Sequence, residues 1–320
     1  MRNLLSAPLT RAIAALLLVL VLGTIWNAGG SFFALDTHLA TLRAGSVVGV
    51  IAVGMTFVIL AGGIDLSVGS VLGVCGMAYA ALSFADGALG VGAVPVALAL
   101  GALIGLCNGI LAARVGLQAF IATLATMSAA RGMAKYLPAF AGGDPGTKIQ
   151  PPPGAIDGTP LMQMLASTLF GIPVVGLVFA VVATAAALVL HRTVFGRHVI
   201  AVGDNETAAR LSGVPVVRTR LCTYVICGGC AGLAAVLQVA QSRLGDPEAG
   251  AMFELKAIAA VVIGGTALSG GRGGVLLTVV GVLTIGTIEK VLSMNGVREH
   301  WRLVVQGGII VAAVLLQRKR

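Results

Sequence analysis

The sequence predicts an all-α integral membrane protein of about ten transmembrane helices, with both termini on the cytoplasmic side. Three observations carry that prediction. Of 320 residues, 58% are hydrophobic and only 10% charged, where a soluble domain carries about 25% charged residues. The mean hydropathy is +1.01, and apolar stretches near the roughly 20 residues that a helical span needs recur along the whole chain. The basic residues gather on alternate loops, as the positive-inside rule requires.

The first stretch, 11–27, follows Arg2 and Arg11 and has no clear small-x-small cleavage site. It is read as a retained span with its N-terminus inside, in preference to a signal peptide. The second and third, 39–61 and 65–84, flank Gly62-Gly63-Ile64-Asp65-Leu66-Ser67. A carboxylate between two lipid-soluble segments is costly, so Asp65 marks either a turn at the membrane edge or a polar site within it. The remaining candidates are 90–113, 118–138, 172–190, 217–240, 254–269, 273–293 and 300–316. Of these, 254–269 is short and runs into Gly264-Gly265 and Gly270-Gly271, so a broken or re-entrant segment is an alternative to a full crossing. On this count the inner side receives Arg2, Arg11, Arg114, Arg192, Arg197, Arg210, Arg218, Arg220, Arg272 and the tail Arg318-Lys319-Arg320. The outer loops 28–38, 84–90, 139–171, 241–253 and 294–299 carry few basic residues, Lys148, Arg243 and Arg298. The formal net charge of +9 is thus an orientation signal and not a nucleic-acid patch.

Small residues four apart (Gly45 and Gly49, Gly69 and Gly73, Gly101, Gly105 and Gly109, Gly228 and Gly232) fall on single helix faces and are read as close helix packing. Cys227-Gly-Gly-Cys230 has the CxxC spacing, but in apolar surroundings without histidine it reads as core. An echo, GGxxLSxG, joins 62–69 to 264–271. It is either a duplicated half of the kind found in transporters or a coincidence in a glycine-rich chain. The outer loop 139–171, rich in Pro and Gly, is a docking surface or a plain connector.

The inner loop 191–220 is the longest and most charged of the inner loops. It contains one short helix with marked ends. Asp204 or Asn205 caps it, Glu206 lies in its first turn, Arg210 near its last, Gly213 closes it after Ser212, and Pro215 stops continuation. Ala208, Ala209 and Leu211 give it a small apolar surface. Two turns are not stable alone, so the helix packs either on its own spans or in a groove of a cytoplasmic partner whose movement it transmits.

At this point several long motifs become recognisable in order. GMTFVILAGGIDLSVGS (Gly54 to Ser70) resembles the signature of ribose-type permeases of the ATP-binding-cassette (ABC) monosaccharide importers. QAFIATLATMSAARG (Gln118 to Gly132) is similar to that family's fifth-span segment, and FGRHVIAVGDNETAARLSGVPV (Phe195 to Val216) to its cytoplasmic coupling region. ELKAIAAVVIGGTALSGGRGG (Glu254 to Gly274) matches a further segment, with Lys256 where the family pattern leads one to expect Asp.

The resemblance implies a single transmembrane permease domain, 1–320, with the ten-span fold of the vitamin B12 importer. It implies a transport subunit without catalytic residues, cofactor or metal, and without a nucleic-acid partner, moving a ribose-, xylose- or galactose-like sugar across the bacterial inner membrane. The implied partners are a second permease subunit, identical or related, membrane lipid, a cytoplasmic ABC ATPase that binds ATP and Mg, and a periplasmic or lipid-anchored sugar-binding protein. No GxxxxGK[ST] phosphate loop occurs in the chain, as a separate motor requires. Coupling to the ATPase is then expected at Asp204, Asn205, Glu206, Ala208, Ala209, Arg210, Leu211, Ser212 and Gly213. Candidates for the pathway or gate are Thr56, Gly62, Gly63, Asp65, Ser67, Asn108, Gln118, Thr123, Thr126, Ser128 and Thr266. Against that, Asp65 is read as the N-cap of the third span in preference to a sugar or gate contact, Asn108 serves equally as a bridge between helices, and the hydroxyls as bonds to their own backbones. Glu289, Lys290, Arg131 and Lys135 are expected to snorkel or pair. The rival readings are an ABC permease for a nucleoside or branched amino acid, and an ion-coupled transporter using Asp65. A membrane enzyme is disfavoured, since HExxH, GxSxG and paired carboxylates are all missing from the sequence.

Overall fold

The computed structural model describes residues 7–85, 91–140, 142–151 and 159–318. Arg2, Lys319, Arg320, the loop residues 86–90 and the Pro-rich 152–158 lie outside the described residues. The chain is nearly all helical. Its helices are α1 (Ala7–Ile25), α2 (Leu35–Leu60), α3 (Val68–Ala85), α4 (Ala93–Gly109, prolonged by a π turn to Arg114), α5 (Ala119–Phe140), α6 (Pro160–Ala166), α7 (Val174–Arg192), α8 (Val194–Asp204), α9 (Glu206–Leu211), α10 (Val216–Ser242), α11 (Phe253–Ile263), α12 (Val275–Met294) and α13 (Glu299–Arg318). A two-stranded ribbon, β1 (Thr168–Leu169) with β2 (Ile172–Pro173), lies between α6 and α7.

Among the described residues, five helical stretches are long and apolar enough to cross a membrane: Leu35–Leu60, Ala93–Arg114, Val174–Arg192, Val216–Ser242 and Val275–Met294. Peripheral helices turn large apolar side chains outward, among them Leu18, Val181 and Val304, as lipid-facing surfaces do. Several helices able to cross a bilayer and an apolar outer surface are the features of a multi-pass membrane protein.

The core forms around α2 and α10. α2 is apolar all round and buried without interruption from Ser46 except at Val48, the behaviour of a helix enclosed on every side. Its neighbours are α10, α12, α11 and α7. α10 lies against α4 backbone to backbone. A methyl group placed on Gly105 would meet the Tyr224 carbonyl, and one on Gly228 would meet the Gly101 carbonyl. The glycine spacing of α4 and α10 thus serves close helix approach. Gly49 likewise seats the Phe179 ring of α7, and Cys227 and Cys230 pack on Gly54.

Two expectations need correction. α11 runs from Phe253 to Ile263, 11 residues or about 16 Å, so the stretch 254–269 is helical only as far as Ile263 and is followed by a glycine turn. The left-handed Gly265 (φ 103°) stops the helix although the apolar composition runs on. The stretch 191–220, in turn, is not a loop holding one short helix. α7 runs to Arg192 and a second, amphipathic helix, α8, precedes α9. Thr193 caps α8 through the Gly196 amide (3.2 Å), and Val199 and Val202 face inward.

Candidate functional site

Two helix stops organise one end of the bundle. After α2, the Gly62 amide donates to the Ile59 carbonyl and the Gly63 amide to Val58, both at 2.9 Å, with Gly62 left-handed (φ 80°). After α11, the Gly265 amide donates to Val262 (2.9 Å) and Thr266 to Val261 (3.1 Å). These are the paired bonds of one closing motif. Gly62 therefore corresponds to Gly265, one residue out of register with the GGxxLSxG alignment, which sets Gly62 opposite Gly264. The two turns also touch, since the Gly271 amide donates to the Leu60 carbonyl at 3.0 Å.

Past the first stop the chain buries Asp65, 1% exposed. Its Oδ1 accepts from the Ser67 amide (2.9 Å) and the Ser67 hydroxyl (2.6 Å), and Asn108 Nδ2 of α4 approaches Oδ1 at 3.3 Å and Oδ2 at 3.4 Å. Asn108 Nδ2 also donates to Ser67 Oγ at 2.8 Å. The Ser67 carbonyl accepts from the Val71 amide (2.8 Å), so Ser67 is the N-cap of α3. Asp65 is not the cap. It holds the cap in place, and with Asn108 it ties the turn to α4. Asp65→Ala should leave the Ser67 amide and the Ser67 hydroxyl without their acceptor, while Asn108 keeps its bond to Ser67 Oγ, at about 3 kcal/mol for two such losses. Asp65→Asn, which keeps a carbonyl oxygen, should lose less than half of that. Thermal unfolding of the purified variants measures both, and equal losses would contradict the acceptor role.

The other expected pathway residues are occupied. Thr56 and Thr278 hydroxyls lie 2.7 Å apart, joining α2 to α12. Thr123 bonds to the Ala119 carbonyl (2.8 Å), Thr126 to Ala122 (3.1 Å) and Ser128 to Leu124 (3.3 Å), each within its own helix. Thr266 Oγ1 accepts from the Gly274 amide at 3.3 Å. Gln118 is exposed between α4 and α5. Thr56, Ser67, Asn108, Thr123 and Thr266 are all fully buried, so in this conformation they form helix ties and line no open path.

The α8–α9 hairpin sits in the fork of the two turns. A methyl group on Gly203 would meet the Leu60 carbonyl and lie 2.6 Å from the Gly271 amide nitrogen, while one on Gly271 would lie 2.6 Å from the Asp204 Cα. Asp204 ends α8, and Asn205 caps α9, its Oδ1 accepting from the Ala208 amide at 2.9 Å. Gly213 (φ 80°) closes α9 after Ser212, with Val214 bonded back to Ala209 at 3.0 Å. Ala209 packs with Val202 and Val216, whereas Leu211 points outward, 84% exposed. Ala208 is exposed.

Glu206 pairs with Arg210 and with Arg220 of α10, both at 2.8 Å. The Arg210 hydrogen bond, with burial opposing it and Arg220 assisting, holds the Glu206 carboxyl below its ordinary pKa. Arg220 Nε also donates to the Ala61 carbonyl at 3.3 Å. Arg220 therefore connects α9 to the first turn, over a cavity of about 130 Å³ bordered by Gly62, Gly63 and Tyr224. Sequence reasoning counted Arg220 only as an inner positive charge. A cation in the first turns of a helix opposes the helix dipole, and that misplacement was the available signal.

A larger cavity, about 520 Å³, opens at the opposite end of the bundle among α2, α10, α11, α12 and α13. Gln238, Gln241, Lys256, Glu289, Lys290 and Arg302 reach it. Glu289 pairs with Lys256 (2.8 Å) and not with its neighbour Lys290. Nearby, Lys135 pairs with Glu248 (2.7 Å), Lys148 with Asp246 (2.8 Å), and Arg131 donates to the Pro247 and Ala249 carbonyls.

Residues 37–314 match the family described as branched-chain amino acid transport system / permease component. The chain is 38% identical to the ribose import permease protein RbsC of Escherichia coli K12 over 309 residues, covering 96% of this chain and 92% of that protein. It is 39% identical to the Bacillus subtilis protein of the same name, over 88% of this chain and 84% of that one. The D-allose transport system permease protein AlsC of Escherichia coli K12 is 36% identical, over 85% of this chain and 80% of its own length. No solved structure matches.

Proposed function

The chain belongs to the branched-chain amino acid transport system / permease component family, and from that premise we propose that it is the membrane-spanning subunit of an ABC importer carrying a monosaccharide across the bacterial inner membrane. The observation that carries the reading is end-to-end similarity to ribose and D-allose import permeases. In this reading the ten apolar stretches are ten spans, α11 among them as a half-length one, with both termini cytoplasmic and the fold of the vitamin B12-type permeases. The pathway forms with a second permease subunit. A separate ATPase binds ATP and Mg, and a periplasmic or lipid-anchored protein delivers the sugar.

Coupling runs through α9. The residues 204–213 dock in a groove of the ATPase, with exposed Leu211 as the apolar contact and Ala209 anchored on Val202 and Val216. When the ATPase closes, the hairpin moves as a unit. Gly203 bears on both glycine turns, and Glu206 pulls on Ala61 through Arg220. The turns then bias the bundle between its two arrangements, a rigid-body switch. Asp65 supports this reading over an ion-coupled one, because its near neighbours are neutral donors that already engage it.

Arg220→Ala tests the route. Half-exposed ion pairs contribute little to stability, so unfolding should shift by no more than about 1 kcal/mol. ATP-driven sugar uptake by the complete importer in liposomes should nevertheless fall at least tenfold, with basal ATP hydrolysis retained. Uptake and stimulated hydrolysis at wild-type levels in both Arg220→Ala and the Glu206→Ala/Arg210→Ala pair would sink the coupling role. The family's description names one other solute class, branched-chain amino acids, and uptake of labelled leucine in place of ribose would decide for it.

A further inference from the structure

We propose that the 520 Å³ cavity away from α9 is a solute site that selects a polyhydroxy compound bearing an anionic group, a carboxylate or a phosphate. The inference rests on the importer reading and narrows its substrate class.

The cavity has the volume of a small-molecule site, for which about 300–1,000 Å³ is typical. Its walls mix apolar residues with polar ones, among which Thr41 and Ser293 contribute hydroxyls. Gln238 and Gln241 stand three residues apart on one face of α10, half-buried. Each amide offers two donors and an acceptor, which suits vicinal hydroxyls. The charged groups are three cations, Lys256, Lys290 and Arg302, and one carboxylate, Glu289. Lys256 and Glu289 close on each other at 2.8 Å, with side chains 23% and 34% exposed.

That leaves Lys290 and Arg302. Neither has an ion-pair or side-chain hydrogen-bond partner among the described residues, and Arg302 Nε is buried without an acceptor. Both side chains are partly exposed, but Arg302 Nε is shut off from water, and a buried cationic donor is costly unless an acceptor or counter-charge meets it. Glu289 is already engaged by Lys256, and the described residues supply no other counter-charge. A neutral sugar would satisfy the two glutamines and leave both cations as they are. A sugar acid or sugar phosphate would satisfy all four, its hydroxyls toward Gln238 and Gln241 and its oxyanion between Lys290 and Arg302, where a guanidinium can hold it with two hydrogen bonds. Position 256 adds to the pattern. With Lys256, Glu289 is neutralised and the excess in the cavity is positive.

The test compares one carbon skeleton at three charges. The purified chain in phosphatidylcholine nanodiscs is titrated with labelled D-ribose, D-ribonate and D-ribose 5-phosphate. At least one of the two anions should bind tenfold or more tightly than D-ribose. The Lys290→Gln/Arg302→Gln variant should abolish that preference, and Lys290→Arg should keep it. Equal binding of the three, binding of none, or a preference that survives the double variant overturns the proposal. The titration is repeated in discs containing phosphatidylglycerol. Displacement of the bound anion by that lipid would give the cavity to a lipid headgroup and overturn the solute assignment. The importer reading is scored separately, by ATP-driven uptake in the complete system. Uptake of neutral sugar with no anion preference leaves that reading standing and removes this one. Anion binding without ATP-driven uptake of any solute removes the importer reading and the transport role of the cavity together.

Discussion

Gly228→Val should prevent the chain from accumulating in the membrane, whereas Gly229→Val, one residue along the same helix, should leave it folded. At Gly228 a methyl group would run into the Gly101 carbonyl and lie 3.0 Å from the Gly105 Cα. Both obstacles are backbone, and no rotamer change relieves them. α4 and α10 would have to separate over their whole crossing, giving up the contacts on either side. Overpacking alone costs about 1–3 kcal/mol, and separating the helices adds to it, against a total stability of about 5–15 kcal/mol. At Gly229 nothing lies within 4 Å, and the change should stay within about 1 kcal/mol. Thermal unfolding after detergent extraction, with the amount of protein recovered from membranes, measures the contrast. Similar behaviour of the two variants would show that the α4–α10 approach does not hold the bundle together.

Gly203→Ala should separate folding from function. Its methyl group meets the Leu60 carbonyl and the Gly271 amide, but α8 lies at the edge of the bundle and can back away by an ångström or so. A stability loss of about 2 kcal/mol is expected, in the range for overpacking. Uptake should fall about a hundredfold, since the hairpin would no longer seat in the fork, and ATP hydrolysis should lose its response to sugar. Normal uptake in Gly203→Ala, in protein shown to be folded, would mean that the contact with the two turns carries no movement.

What could be read from the sequence was what is decided locally. The caps of α9 are a matter of neighbours, so Asn205, Glu206 and Gly213 were legible from residue type and spacing, and so were the apolar stretches that became the long helices. The end of α11 was legible only as an alternative: Gly264-Gly265 signalled a break, but the stretch stays apolar through Ala267 and Leu268, and it is the left-handed Gly265 that stops the helix. Asp65 was noticed for its charge but misassigned as a cap, since its relation to Asn108 spans 43 residues. The bond from Arg220 to Ala61 spans 159. α8 could have been found from the spacing of Phe195, Val199 and Val202 after Thr193, but its glycines and charges disguised it as a loop. The charged cavity is assembled from five helices, α2 and α10 to α13, and nothing in any one of them announces it.

The contact of Gly203 with Leu60 and Gly271 has a mechanical consequence. Side chains between two moving parts act as cushions: they change rotamer, and part of any displacement is lost in them. Peptide groups pressed directly together have no such compliance. A joint made of backbone on three sides is stiff, so a small displacement of the α8–α9 hairpin arrives at both turns nearly undiminished. Because Gly271 is also bonded to Leu60, the two turns take up that displacement in step.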